Sequence, residues 1–253
     1  VPSSALRAVL TQIRPMLRDT ARIAWASKGF ELSTGKLPHQ VAREVLGPAV
    51  PIAVLSGPTF AKEVGQGLPT AIAVASPHDE YALELAERIS SGGFRAYTQS
   101  DIVGVEIGGA VKNVLAIATG CSDGLGYGSN SRVFLITRGL AELMRLGVAL
   151  GAKRETLMGL AGLGDLVLTC TDDQSRNRRF GRALAAGKPV EQAIAEIGQV
   201  VEGYHAAKAV HFVAEKHDVD MPICNYVYDV LHRGVPLKDV VASMLAREVT
   251  PEN

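Results

Sequence analysis

Lys112 stands at the centre of an almost wholly apolar stretch, IVGVEIGGAVKNVLAIATG at 102–120. An ammonium set among Ala, Val, Ile and Gly loses its hydration, so it must pair, lose its proton or do chemistry that uses a shifted pKa. On a helix its neighbours three and four residues away are Gly108, Gly109, Leu115 and Ala116, a smooth face that a ligand or another backbone can approach closely. With Asn113 beside it as an orienting, substrate-facing amide, Lys112 reads as a general acid and base. The competing reading is a structural lysine that snorkels or pairs with Glu106.

Two further clusters suit an anionic substrate. In SGPTFAKE at 56–63, Gly57 and Pro58 fit the start of a helix directly after a strand, where free backbone N–H groups attract an anion, and Thr59 adds a hydroxyl. Lys28, directly after the strand-like RIAWAS at 22–27, is expected on the same sheet edge, where open α/β sheets bind their ligands. In SRNRRFG at 175–181, Arg176 can clamp a phosphate through two parallel N–H bonds while Ser175 and Asn177 add neutral donors. Asp172 and Asp173 partly neutralise that run, and a solvated basic helix face is the plainer alternative. Asp165, in GLGD, either orients a catalytic lysine by ion pairing or caps the next helix. The histidines form no metal-ligand pattern, so no metal site is expected.

The elements that must position these residues fall into two kinds. Residues 1–100 alternate helical patterns (3–17, 38–46, 58–66, 78–90) with strand candidates (22–27, 51–56, 70–76, 94–99), which predicts a mostly parallel, doubly wound sheet. From 101 to 253 strand signals vanish, and Ala/Leu/Gly-rich stretches predict helices at 101–119, 131–150, 153–160, 175–186, 190–197, 202–217 and 223–233. The fold class expected is therefore α/β followed by all-α. A dinucleotide fingerprint of strand, Gly-rich turn and helix is missing from the first 60 residues, and the glycines at 124–128 and 159–165 read as turns or helix junctions.

The chain's 26 basic residues balance 26 acidic ones, which argues against a general attraction to nucleic acid or to an anionic membrane. With 47% apolar residues among 253 there is ample material for a large core. Three scattered cysteines, Cys121, Cys170 and Cys224, suggest neither a disulfide framework nor zinc and fit a reducing cytoplasm. The segment 102–120 is expected to be a buried helix and not a membrane span, because Glu106, Lys112 and Asn113 interrupt it.

ASKG at 26–29, SGPTFAKE at 56–63, GGAVKNVLAIATG at 108–120, GLAGLGDLVLTCTDDQSRNRRFG at 159–181 and VVEG at 200–203 resemble the bacterial type of NAD(P)-dependent glycerol-3-phosphate dehydrogenase. The resemblance runs in order across essentially the whole chain. It implies a Rossmann domain, of which 1–100 would be the C-terminal portion, followed by a helical substrate domain at 101–253 like that of 6-phosphogluconate dehydrogenase. It implies that Lys112 is the proton acceptor and donor, that Lys28 lies by both substrate and cofactor, and that Gly57 and Thr59 contact substrate. Asp165, Ser175, Arg176 and Asn177 would line the substrate site, with Arg176 also near the cofactor, and Ala61, Val200 and Glu202 would contact NAD or NADP. The expected reaction interconverts sn-glycerol 3-phosphate and dihydroxyacetone phosphate in the cytoplasm, supplying phospholipid precursors, and the family is compatible with a homodimer. Against the family pattern the chain begins near the end of the fourth Rossmann strand, so about 60 to 90 residues carrying the glycine fingerprint would precede it. Two other readings stay open: a related β-hydroxyacid dehydrogenase, and a catalytically silent folded module with an exposed sheet edge.

Overall fold

The computed structural model describes residues 1–246, so the last seven residues of the 101–253 segment lie outside the described residues. The sheet layer contains α1 (Ser3–Ile13), β1 (Ile23–Trp25), α2 (Pro38–Leu46), β2 (Ile52–Ser56), α3 (Ala61–Gly65), β3 (Thr70–Ala75), α4 (Asp79–Ile89) and β4 (Phe94–Gln99). Pro15, which lacks an N–H to continue the helical ladder, coincides with the change from α1 to a single 3-10 turn at Arg14–Met16. Helix α2 has Pro38 in its first turn and ends at Gly47, whose φ of 86° only glycine adopts cheaply.

The four strands lie in the order β1-β2-β3-β4. β1 runs parallel to β2 and β3 parallel to β4, but β2 and β3 are antiparallel. This corrects the expected parallel sheet at its central pairing. The link from Gly57 to Pro69 holds only the five-residue α3, too little helix to carry the chain back across the sheet, so β3 returns alongside β2 in the opposite sense.

Asp101 then caps α5 (Ile102–Gly124) by accepting the Gly104 N–H at 2.9 Å, while its other oxygen accepts the Lys153 N–H at 2.8 Å. The helical layer continues as α6 (Ser129–Ala149), α7 (Arg154–Leu157), α8 (Asp165–Thr171), α9 (Arg176–Ala185), α10 (Val190–Ile197), α11 (Glu202–Lys216), α12 (Pro222–Tyr228) and α13 (Leu237–Leu245). Two π-helical turns, Leu160–Gly164 and Asp229–Arg233, adjoin α8 and α12. Helices α8 and α13 are absent from the sequence expectation.

Helix α5 belongs to both layers. Its first turns place Ile102 and Val105 in the sheet core with Trp25, Ile52 and Val54, and the rest, from Ile107 to Cys121, forms the axis of the helical core. Glycines let other backbones press against it: a Cβ on Gly108 would overlap the Ala161 carbonyl, and one on Gly120 the Arg178 carbonyl. Helix α9 reciprocates through Gly181, which lies against the Ile117 carbonyl. By length and composition α5 could cross a membrane, yet most of it is buried inside the fold.

Candidate active site

Lys112 projects from the middle of α5 and is buried, with 8% of its surface exposed. Its Nζ donates to Asp165 Oδ1, and the Lys28 Nζ donates to the other oxygen of the same carboxylate at 2.7 Å. Asp165 opens α8 immediately after the π-helical turn, which swings its side chain under α5; the Thr169 hydroxyl donates to its backbone carbonyl at 2.6 Å. Two ammoniums on one carboxylate leave an excess positive charge in a dry place. Burial, followed by the Lys28 charge, pulls the Lys112 pKa down to about 8 against the opposing pull of Asp165. A lysine so placed exchanges protons near neutral pH.

Glu106, the alternative partner, is occupied elsewhere. It accepts the Trp25 Nε1–H at 3.1 Å and the His39 backbone N–H at 2.9 Å, and it meets the His39 ring Nδ1 at 2.6 Å. These bonds tie α5 to β1 and α2, and burial holds the Glu106 carboxyl above the usual carboxylate range. Nothing in the local sequence signals this tie.

Asn113 is turned away from Lys112 by its place on the helix. Its Nδ2 donates to Glu202 at 3.1 Å, and its Oδ1 accepts from Asn177 Nδ2 at 2.9 Å. Asn177 Oδ1 in turn accepts the Gly203 N–H at 2.9 Å. The two amides therefore clasp α5, α9 and the start of α11, and the expected contact of Asn113 with the lysine is not made. Ser175 caps α9 by accepting the Arg178 N–H at 3.2 Å. Arg178 is spent on Asp123 and Asp173, whereas the Arg176 guanidinium makes one long contact, 3.4 Å to Gln199 Oε1, and no ion pair is recorded for it among the described residues. Of the basic run, Arg176 and the exposed Arg179 thus keep donors to offer an anion, and Arg176 is the one that opens α9.

Past β2, Pro58 to Phe60 are not helical, and α3 starts only at Ala61. The expected helix start at Pro58 is corrected by three residues: the backbone from Gly57 to Thr59 is a turn in which the Thr59 hydroxyl donates to the Gly57 carbonyl at 3.2 Å. Pro58 packs beside Gly164, next to Asp165. A separate cleft of about 200 Å3 is lined by Lys28, Asn113, Val200 and Glu202 with Ser3 and Ser4 of α1. It joins the Lys28 side of the lysine pair, and its lining combines an apolar wall with a carboxylate and hydroxyls. Ala61 and Arg176 do not line it.

A sheet layer joined through one shared helix to a helical layer, with a buried lysine on that helix, defines the fold. D-mandelate dehydrogenase in complex with NADH shares the fold at 13% identity and a TM-score of 0.58, over 92% of this chain and 76% of that one. Residues 1–82 match the family described as NAD-dependent glycerol-3-phosphate dehydrogenase N-terminus, and residues 101–242 match its C-terminus. The chain belongs to the NAD-dependent glycerol-3-phosphate dehydrogenase family. The glycerol-3-phosphate dehydrogenase [NAD(P)+] of Aeromonas salmonicida is 58% identical over 253 residues, all of this chain and 76% of that protein. The crystal structure of glycerol-3-phosphate dehydrogenase from Coxiella burnetii superposes with a TM-score of 0.95 at 48% identity, over 98% of this chain and 75% of that one. The Saccharomyces cerevisiae enzyme does so at 0.85 and 27% identity, over 98% and 74%.

Proposed function

We propose that this chain interconverts sn-glycerol 3-phosphate and dihydroxyacetone phosphate with Lys112 as the group that takes and returns the hydroxyl proton. The observation that carries the reading is the shared carboxylate: Lys112 and Lys28 on the two oxygens of Asp165. Oxidising the C2 alcohol requires removal of its hydroxyl proton as hydride departs, and a lysine with a pKa of about 8 is about one-tenth neutral at pH 7 and about half neutral at pH 8. In reduction the same ammonium gives the proton back. Asp165 anchors the lysine in both states, and Lys28 adds positive charge where negative charge develops on the substrate oxygen. Bound NAD or NADP supplies the hydride acceptor or donor.

Arg176, whose guanidinium meets only Gln199 among the described residues, is the donor proposed for the phosphate, supported by the turn from Gly57 to Thr59. Asn113, Ser175 and Asn177 hold the walls of the substrate site through their bonds to α9 and α11. Lys28, Val200 and Glu202 are proposed to face the cofactor from the cleft, with Ala61 and Arg176 at its margins. The partners proposed are this small phosphorylated substrate and a second copy of the chain in a homodimer, and the proposed location is the cytoplasm. Replacing Lys112 by Ala is expected to lower kcat by 1,000-fold or more, on the order of the loss of an acid–base group, with a smaller change in KM. Steady-state kinetics showing near-normal kcat in that variant would overturn the assignment.

A further inference from the structure

Among the described residues, two buried side-chain oxygens have no hydrogen-bond partner, Ser56 Oγ and Ser122 Oγ. Ser56 is the one beside the lysines. It ends β2, and by the two-residue period of a strand it continues the face of Ile52 and Val54, which packs on Ile102 and Val105 of α5. An apolar residue would complete that stripe. A hydroxyl there loses its water and recovers nothing, a conflict of the kind that marks functional positions.

The spot it faces is Gly109, one turn before Lys112. A Cβ on Gly109 would lie 3.2 Å from Ser56 Oγ, 3.2 Å from Lys28 Cγ and 3.3 Å from Lys28 Cδ. The hydroxyl and the lysine stem therefore converge on the same bare patch of helix. The neighbouring polar groups are committed: the Thr59 hydroxyl points to the Gly57 carbonyl, and Asp165 carries both lysines. Lys28 has N–H bonds to spare beyond the one on Asp165 Oδ2, and rotation about its last two side-chain bonds sweeps its Nζ around the Cδ that already sits there. Ser56 Oγ is itself shielded from any ligand, so whatever it does it does through Lys28.

We propose that Ser56 is a positioning residue, the second berth for the Lys28 ammonium when substrate draws it from Asp165. In the first berth Lys28 shares the carboxylate with Lys112. In the second it hydrogen-bonds Ser56 and the substrate oxygen, and Asp165 is left to Lys112. This rests on the catalytic reading of the lysine pair given above.

The test is a double-mutant cycle in kcat/KM with Ser56→Ala and Lys28→Met, alongside unfolding midpoints for all four proteins. Ser56→Ala should lower kcat/KM about tenfold, the scale of a hydrogen bond to a charged group. Its unfolding midpoint should stay level or rise, because the variant removes an unpartnered hydroxyl from the core. In the Lys28→Met background the same change should cost less than twofold, since the group it serves is gone. Wild-type kcat/KM in Ser56→Ala overturns the proposal, as does an equal fractional loss in both backgrounds or a fall in midpoint large enough to explain the loss. An active Lys112→Ala enzyme would instead bring down the catalytic reading beneath it, so the two failures are distinguishable.

Discussion

Lys28 should lower the pH at which Lys112 works, on top of the larger effect of burial. Both ammoniums sit on one carboxylate, Lys28 at 2.7 Å from Asp165 Oδ2 and Lys112 on Oδ1. At an effective dielectric near 20, two unit charges a few ångströms apart repel by a few kcal/mol, on the order of 1 to 2 pKa units. Replacing Lys28 by Met removes that repulsion while keeping the stem, so the Lys112 pKa should climb from about 8 towards its ordinary value. Oxidation of the alcohol needs the neutral amine. At pH 8 the competent fraction should fall from about half to a small minority, with burial still holding the pKa below its ordinary value, and it should recover at higher pH. The assay is kcat/KM for alcohol oxidation across pH, followed through the nicotinamide absorbance. Losing a substrate contact lowers the whole profile, whereas losing the charge moves its acid limb to higher pH. An acid limb left in place in Lys28→Met would refute the electrostatic argument, however slow the variant.

Two further outcomes are expected. Glu142, buried in α6 and accepting the N–H groups of Ile223 at 2.6 Å and Cys224 at 3.1 Å, has its pKa pushed up to about 7 by burial. The folded state thus holds this proton more tightly than the unfolded state does, and its stabilisation, complete below about pH 4.5, is lost as pH rises through about 7, in total on the order of 3 kcal/mol. Denaturant titrations at several pH values should show that slope in the wild type and its loss in Glu142→Gln; parallel curves would contradict it. At Gly120, substitution by Ala would drive a methyl into the Arg178 carbonyl and pry α9 from α5, costing about 2 to 3 kcal/mol of stability by the measure of overpacked cores. Because α9 carries Arg176, KM should rise as well, and an unchanged unfolding midpoint would show that the helices can part freely.

The sequence carried the site's ingredients further than its geometry. Lys112 was legible because a lone charge in an apolar helix has to be explained, and the four strands were legible as short runs such as IAVLS and TAIAVA. The reversal between β2 and β3 was not, because strand direction depends on how little helix α3 supplies, and helix length is weakly encoded at a Gly-Pro turn. Asp165 could be named as a candidate ion-pair partner, but its simultaneous hold on Lys28, 137 residues away, depends on a π-helical turn that has no sequence signature. Helix α8 escaped because DLVLTCT is rich in β-branched residues with poor helix preference, and packing against α5 overrides that preference. Asn113 illustrates the opposite error: adjacency in sequence suggested a partnership that a turn of about 100° per residue forbids.

Helix α5 is held by backbone from several directions, at Gly108 by the Ala161 carbonyl, at Gly120 by the Arg178 carbonyl and near Asn113 by Gly203. Such seating removes mechanical compliance. A helix cushioned by long side chains can slide or roll by fractions of an ångström to suit a misplaced guest, but one resting on peptide groups meets a hard wall at once. Any tolerance for a substrate of the wrong length has to come from the turn at Gly57 to Thr59 and from the Arg176 side chain. Selectivity for the spacing between the phosphate and the reacting hydroxyl is, on this view, a property of stiffness: the fixed point is Lys112, and the rest of the site adjusts to it.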